Sequence, residues 1–305
     1  VTPSRVVVVL GSTASGKSAV AMACALGRPS GEVHIIAADA MQVYRGMDIG
    51  TAKPTEADRA AVTHHGLDLA EPQERFTVTR WTDAVAPVRA RLAETGTREI
   101  VVGGTGLYVT ALVDGLTVPG EWPDLRAELE AEGDTAALWD RLGRLDPVTA
   151  SRTEPGNRRR IVRALEVSIG SGRPFSSFGD GVAAFPAVDL VQIGLRWNRG
   201  VLRRRIAARA EEMFAAGLVA EVEALVARPG GLSPTAMQAL GYKEVVDHLE
   251  GRCSLEEAMA AVVLRTGQFA VRQERWYRRD PRIEWVDVEA DPVAEAGPLV
   301  LRMLA

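Results

Sequence analysis

Val6 to Leu10 is an unbroken apolar, largely β-branched run closed by Gly11, the pattern of a strand buried on both faces of a parallel sheet. Helical composition follows from Gly16 to about Leu26, and a second apolar run, Val33 to Ala38, ends at Asp39. This order predicts a strand, loop, helix, strand unit. A helical stretch from about Val78 to Thr95 then leads into a third strand, Arg98 to Gly104. Such alternation points to an α/β fold with a mostly parallel sheet.

The pattern changes between Leu116 and about Pro186. Acidic helical pieces such as Asp124 to Glu132 precede a stretch punctuated by Pro and Gly, and the run Asn157 to Ile169 places Ile161, Leu165 and Ile169 four apart on one helical face. Val188 to Leu195 restores a strand, long helical patterns run from Val201 to Val226 and from Leu255 to about Tyr277, and Ile283 to Val288 reads as a last strand. The expected fold is a P-loop-type parallel sheet flanked by helices, with a catalytic core at 1–114 and 187–305 and a mostly helical insertion at 115–186.

Across 305 residues, 47% hydrophobic and 25% charged, the composition is that of a globular protein of enzyme size. Cys24 and Cys253 are the two cysteines, far apart and without neighbouring Cys or His, which argues against a disulfide framework or a zinc ribbon. No apolar run reaches the roughly 18 to 20 residues that span a bilayer, and Val1 to Leu10 enters a strand without a leader-like pattern. The expectation is a cytoplasmic protein with no membrane partner.

The net charge of −4 excludes a uniformly basic binder. Of 36 basic residues, however, only Lys17, Lys53 and Lys243 are lysines, and the arginines cluster. Arg152, Arg158, Arg159, Arg160 and Arg163 face one acid, Glu154; Arg196, Arg199, Arg203, Arg204, Arg205 and Arg209 face none; Arg272, Arg275, Arg278, Arg279 and Arg282 are interrupted by Glu274 and Asp280. Any one cluster reads equally as a solvated helix face, but three in an acidic chain favour a polyanionic partner.

Gly11-Ser12-Thr13-Ala14-Ser15-Gly16-Lys17-Ser18 fits G-x-x-x-x-G-K-[ST] between a buried strand and a helix. Its backbone N–H groups and the helix start suit a phosphate, Lys17 adds a point charge, and the Ser18 hydroxyl suits Mg²⁺. A regulatory GTPase is excluded, because neither Asn157 nor Asn198 is followed by Lys. A small-molecule P-loop kinase stays open, since the second strand ends in Asp39.

The segment Ala38-Asp39-Ala40-Met41-Gln42-Val43-Tyr44-Arg45-Gly46-Met47-Asp48-Ile49-Gly50-Thr51-Ala52-Lys53-Pro54 resembles the signature of the bacterial tRNA dimethylallyltransferase family. So do Gly103-Gly104-Thr105-Gly106-Leu107-Tyr108, Arg163-Ala164-Leu165-Glu166-Val167 and Gln238-Ala239-Leu240-Gly241-Tyr242-Lys243. Thr266, Gln268, Arg272, Gln273 and Trp276 are similar to that family's T-x-Q-x-A-x-R-Q-x-x-W pattern, and the resemblance runs from about Val6 to Val288. The chain departs from the family at Ser12, Ala40, Met41 and Pro155-Gly156-Asn157.

The resemblance implies transfer of a dimethylallyl group from its diphosphate to the exocyclic amine of the adenine 3′ to the tRNA anticodon, with Mg²⁺ as cofactor, by a monomer. It assigns Gly11, Thr13, Ala14, Ser15, Gly16, Lys17, Ser18 and Arg205 to the diphosphate. Asp39, at a strand end near the phosphate loop, suits a proton acceptor, with a metal-site or helix-cap role as the alternative; Thr105 matches a family threonine beside the reacting centre. For the anticodon stem-loop, the implied contacts are Gln42, Tyr44, Arg158, Arg159, Arg160, Ile161, Gln238, Gly241, Tyr242, Lys243 and Arg272. Tyr44 and Trp276 read equally as packing residues, with packing ranked first for Trp276.

Overall fold

The computed structural model describes residues 5–179, 181–182 and 184–304, so the first four residues of the opening stretch lie outside the described residues. The chain forms two compact units, Val1–Val113 with Ala187–Ala305, and Asp114–Pro186.

In the first unit, β1 (Val6–Gly11), α1 (Lys17–Leu26), β2 (Val33–Ala38), α2 (Glu56–Ala61), β3 (His64–His65), α3 (Val78–Thr95), β4 (Arg98–Gly103) and α4 (Gly106–Asp114) follow in order. The second unit holds α5 (Pro123–Ala131), α6 (Thr135–Leu145), α7 (Pro147–Ser151) and α8 (Arg158–Ser171). The chain then returns with β5 (Val191–Trp197), α9 (Arg199–Ala215), α10 (Leu218–Val226), α11 (Tyr242–Leu249), α12 (Leu255–Tyr277), β6 (Ile283–Val288) and α13 (Pro292–Met303).

The six strands form one parallel sheet in the order β3-β2-β4-β1-β5-β6. Val7, Val8, Val9 and Leu10 of β1 are fully buried, as a central strand covered on both faces requires. Val20, Ala21 and Cys24 of α1 join Ala296 and Val300 of α13 in the core that includes Val7, Val9 and Ile193. Trp81 of α3 is also fully buried, and its indole N–H donates to the Ala37 carbonyl at 3.1 Å. Register matters most at the carboxyl ends: Gly103 of β4 lies opposite both Leu10 of β1 and Ala38 of β2. The segments that leave these three strands therefore start side by side.

Two expected elements differ. The strand expected over Val188 to Leu195 is β5, starting at Val191 opposite Val7 and continuing to Trp197 because β6 pairs with it as far as Val288. The single helix expected from Val201 to Val226 is two, divided at Gly217, whose left-handed backbone (φ 102°) starts α10 anew.

The insertion has its own core of Leu129, Leu138, Leu142, Ile161, Val162 and Leu165. Glu166 is fully buried there between Arg163 (2.9 Å) and Arg126 (3.1 Å), and accepts the Trp122 N–H at 2.9 Å. Asp146, also buried, accepts from Thr149 and Ser176 through both backbone and hydroxyl. No described helix is long and apolar enough to cross a membrane.

Candidate functional site

The loop from Gly11 to Ser18 joins β1 to α1. Gly16 takes φ 91°, and a Cβ there would lie 2.5 Å from Pro292, so only glycine fits both the turn and the close approach of α13. Gly16 provides no side-chain cap, and uncapped N–H groups at a helix start suit an anion. Three residues hold the loop from outside: the Trp197 indole donates to the Ser15 carbonyl at 2.9 Å, Arg205 Nε donates to the Ala14 carbonyl at 2.9 Å, and Gln273 Oε1 accepts the Thr13 N–H at 2.8 Å. Arg205 also lies over the Trp197 ring at 4.3 Å. The N–H groups of Thr13 and Ser15 are thus engaged within the protein, the latter with the Ser12 carbonyl at 3.2 Å.

Lys17 Nζ donates to the Ser12 carbonyl at 3.3 Å. Burial and the Arg209 guanidinium bring its pKa down to about 8, while the Asp39 carboxylate pulls it upward. Arg209 is half-buried, its guanidinium makes no hydrogen bond or ion pair with any described residue, and it lines a cleft of about 980 Å³ together with Ile49, Ala52, Lys53 and Met213.

Asp39 follows β2. Its Oδ1 accepts the N–H groups of Met41 (2.9 Å) and Gln42 (3.4 Å), fixing the turn, and Oδ2 makes no hydrogen bond with a described residue. Thr105, after β4, accepts the Ala40 N–H on Oγ1 at 3.1 Å, which keeps its hydroxyl proton available, and its carbonyl starts α4. Around this pair, burial, followed by Tyr44 and then the Asp39 charge for Tyr108 and by the Asp39 charge for Tyr277, pushes both phenols well above the usual tyrosine range. The strand-end register thus brings the phosphate loop, Asp39 and Thr105 together.

The segment after Asp39 is clamped. Glu221 of α10 accepts the N–H groups of Asp48 (3.0 Å), Ile49 (2.7 Å) and Gly50 (3.2 Å) and the Tyr242 hydroxyl (2.6 Å). Gln42 Nε2 donates to the carbonyls of Thr51 and Ala52, so both of its donors serve the loop and its Oε1 alone remains for a base. Lys53, buried, joins the Tyr44 carbonyl, Asp48 and Asp68.

Several residues expected at the tRNA are committed elsewhere. Tyr44 is buried against Phe76, with its hydroxyl 2.7 Å from Thr235 Oγ1. Tyr242 is buried on Glu221, and Gly241 donates to Glu244. Ile161 lies in the core of the insertion, where its place on the apolar face of α8 puts it. Arg158 closes the end of α5, donating to the carbonyls of Leu129, Glu130 and Glu132 and to Thr135. By contrast Arg159, Arg160, Gln238, Lys243 and Arg272 are exposed. Trp276 packs on Gly106 and donates to Thr110, the packing role that ranks first for it.

Two residues of the site stand out only in three dimensions. Glu221 carries no local signal in the sequence, whereas Arg209, visible there as one of a basic cluster suited to tRNA phosphates, stands one helical turn after Arg205 and shares its face.

The family model described as IPP transferase matches residues 42–280. A tRNA dimethylallyltransferase of Kineococcus radiotolerans is 48% identical over 92% of this chain and 90% of its own length. The crystal structure of the full-length tRNA isopentenylpyrophosphate transferase of Bacillus halodurans is 35% identical, with a TM-score of 0.68 over 98% of this chain and 96% of that one. A eukaryotic dimethylallyltransferase acting on tRNA shares the fold at 23% identity, with a TM-score of 0.81 over 97% of this chain and 77% of that one.

Proposed function

The chain belongs to the IPP transferase family, and on that footing we propose that it transfers the dimethylallyl group of dimethylallyl diphosphate to the N6 amine of the adenine 3′ to the tRNA anticodon, releasing diphosphate. The observation that carries the chemistry is the pairing of Gly103 with both Leu10 and Ala38, which sets the phosphate loop, Asp39 and Thr105 at adjoining strand ends. The family match over 42–280 favours this reaction over a small-molecule kinase.

The donor's C–O bond breaks as the C–N bond forms, and the diphosphate leaves with the bonding pair. Negative charge grows on it, facing the start of α1, Lys17, Arg205 and Arg209; stabilisation that strengthens as that charge develops lowers the barrier. The adenine amine is a weak nucleophile because its lone pair is delocalised into the ring, so its proton must leave as the bond forms. The unbonded Oδ2 of Asp39 receives it, and the Thr105 hydroxyl is placed to hold the base. The adenine must first leave its stack.

Mg²⁺ needs few protein ligands when phosphates and water supply the rest. The exposed Ser18 hydroxyl, at the first turn of α1 and without a hydrogen bond to a described residue, fits that role. Bound there with the donor, the ion would neutralise phosphate charge. Exposed Arg159, Arg160, Lys243 and Arg272 supply contacts for the tRNA phosphates. Acting on tRNA, the enzyme works in the cytoplasm.

Asp39→Asn tests the base. The variant should keep its fold and tRNA affinity while turnover falls roughly a hundredfold or more. Turnover within a few-fold of the parent would remove Asp39 from proton transfer.

A further inference from the structure

Gln273 sits on α12, 5% exposed, with its amide between two loops. Its Oε1 accepts the Thr13 N–H of the phosphate loop at 2.8 Å, and its Nε2 donates to the Gly104 carbonyl at 2.6 Å. An N–H faces one end and a carbonyl the other, so the partners themselves fix which way the amide points. Gly104 precedes Thr105, which holds the Ala40 N–H beside Asp39. A Cβ on Gly104 would lie 2.8 Å from Gln273 Nε2 and 3.4 Å from Lys17 Nζ, so the bridge and the lysine both approach the backbone where only glycine leaves room. One turn along α12, the Tyr277 hydroxyl donates to the Gly103 carbonyl at 3.3 Å. The end of β4 is thus anchored twice to one helix, and one of those anchors also grips the phosphate loop.

We infer that Gln273 is a positioning residue: it sets the separation between the leaving diphosphate on its loop and the Asp39–Thr105 pair that handles the acceptor amine. Both polar atoms of its amide are taken by backbone groups, and the inference rests on the transfer reaction proposed above. Donor and acceptor are bound by different segments, and nothing in either segment alone fixes the distance between them. The Gln273 amide spans that gap by a route of two hydrogen bonds. A misplacement of about 1 Å between reacting groups costs on the order of a hundredfold in rate.

Two variants separate the halves of the bridge. Gln273→Met removes both hydrogen bonds at similar volume; Gln273→Glu keeps an acceptor for Thr13 and loses the donor to Gly104. Steady-state kinetics with dimethylallyl diphosphate and unmodified tRNA, melting curves, and amide exchange at Thr13 are measured on the full chain. In both variants kcat per folded molecule should fall about a hundredfold, while KM for each substrate stays within about threefold. Thr13 should exchange faster in the Met variant and remain protected in the Glu variant. A purely structural role predicts a lower Tm with kcat per folded molecule preserved, and that result overturns the inference. Should the Met variant fail to fold, the Glu variant decides by the same kcat criterion. A parent that transfers nothing would instead overturn the reaction itself, and the positioning role with it.

Discussion

Burial and the Arg209 guanidinium draw the Lys17 ammonium from its ordinary 10.5 to about 8, against the pull of Asp39. Two opposite trends with pH follow. Between about 8 and 10.5 the unfolded chain holds this proton more tightly than the folded one, so Lys17 deprotonation adds stability as pH rises. In the proposed reaction the donor's diphosphate meets the charged form, so affinity for dimethylallyl diphosphate should weaken as pH passes about 8. Calorimetric titration across that range reads this directly, and Lys17→Arg, charged throughout, should lose the step. An affinity for the parent that stays flat beyond pH 8 would mean that Lys17 does not titrate there. Lys17 and Asp39 are legible in the sequence because one belongs to a phosphate-loop motif and the other closes an apolar strand run, whereas Thr105 is picked out only by the family resemblance. Tyr44 and Tyr242 are not, because a tyrosine in a loop-like sequence looks the same whether its ring meets RNA or, as here, Phe76 and Gly50.

At the scale of elements, apolar runs make β1, β2 and β4 legible, the mixed apolar and acidic pattern of Ile283 to Val288 still reads as β6, and the Ser254–Glu257 capping box marks the start of α12. Two-residue β3 carries too little pattern to read, and α13 begins with Pro292 and contains Pro298, residues that punctuate a sequence although Pro292 suits the first turn of a helix. The basic run at the start of α8 shows why charge alone misleads. Arg158 points back to the end of α5, while Arg159 and Arg160 are exposed and their side chains make no hydrogen bond or ion pair with a described residue. The double change Arg159→Ala with Arg160→Ala should leave Tm unaltered and flatten the log–log salt dependence of tRNA binding by about 0.7 to 0.9 for each phosphate no longer neutralised. Arg158→Ala should instead destabilise the insertion by about 1–3 kcal/mol, because the α5 carbonyls lose a charged donor. A parental salt slope in the double variant would place the RNA contacts on the exposed residues of the later helices.

For the whole molecule, the alternation of strands and helices is enough to expect a parallel sheet. The strand order is not readable, because it depends on which strand β1 chooses on each side, and it is this order that gathers Gly11, Asp39 and Thr105. The central claim is that one chain joins a diphosphate site to an adenine-modifying site. Its most direct test incubates the protein with Mg²⁺, labelled dimethylallyl diphosphate and unmodified tRNA, then maps the label by nuclease digestion and mass spectrometry. One dimethylallyl group is expected on the N6 amine of the adenine 3′ to the anticodon, with diphosphate released in equal amount and no requirement for ATP. Label on water alone, label on another nucleotide, or phosphoryl transfer from ATP in its place would contradict it.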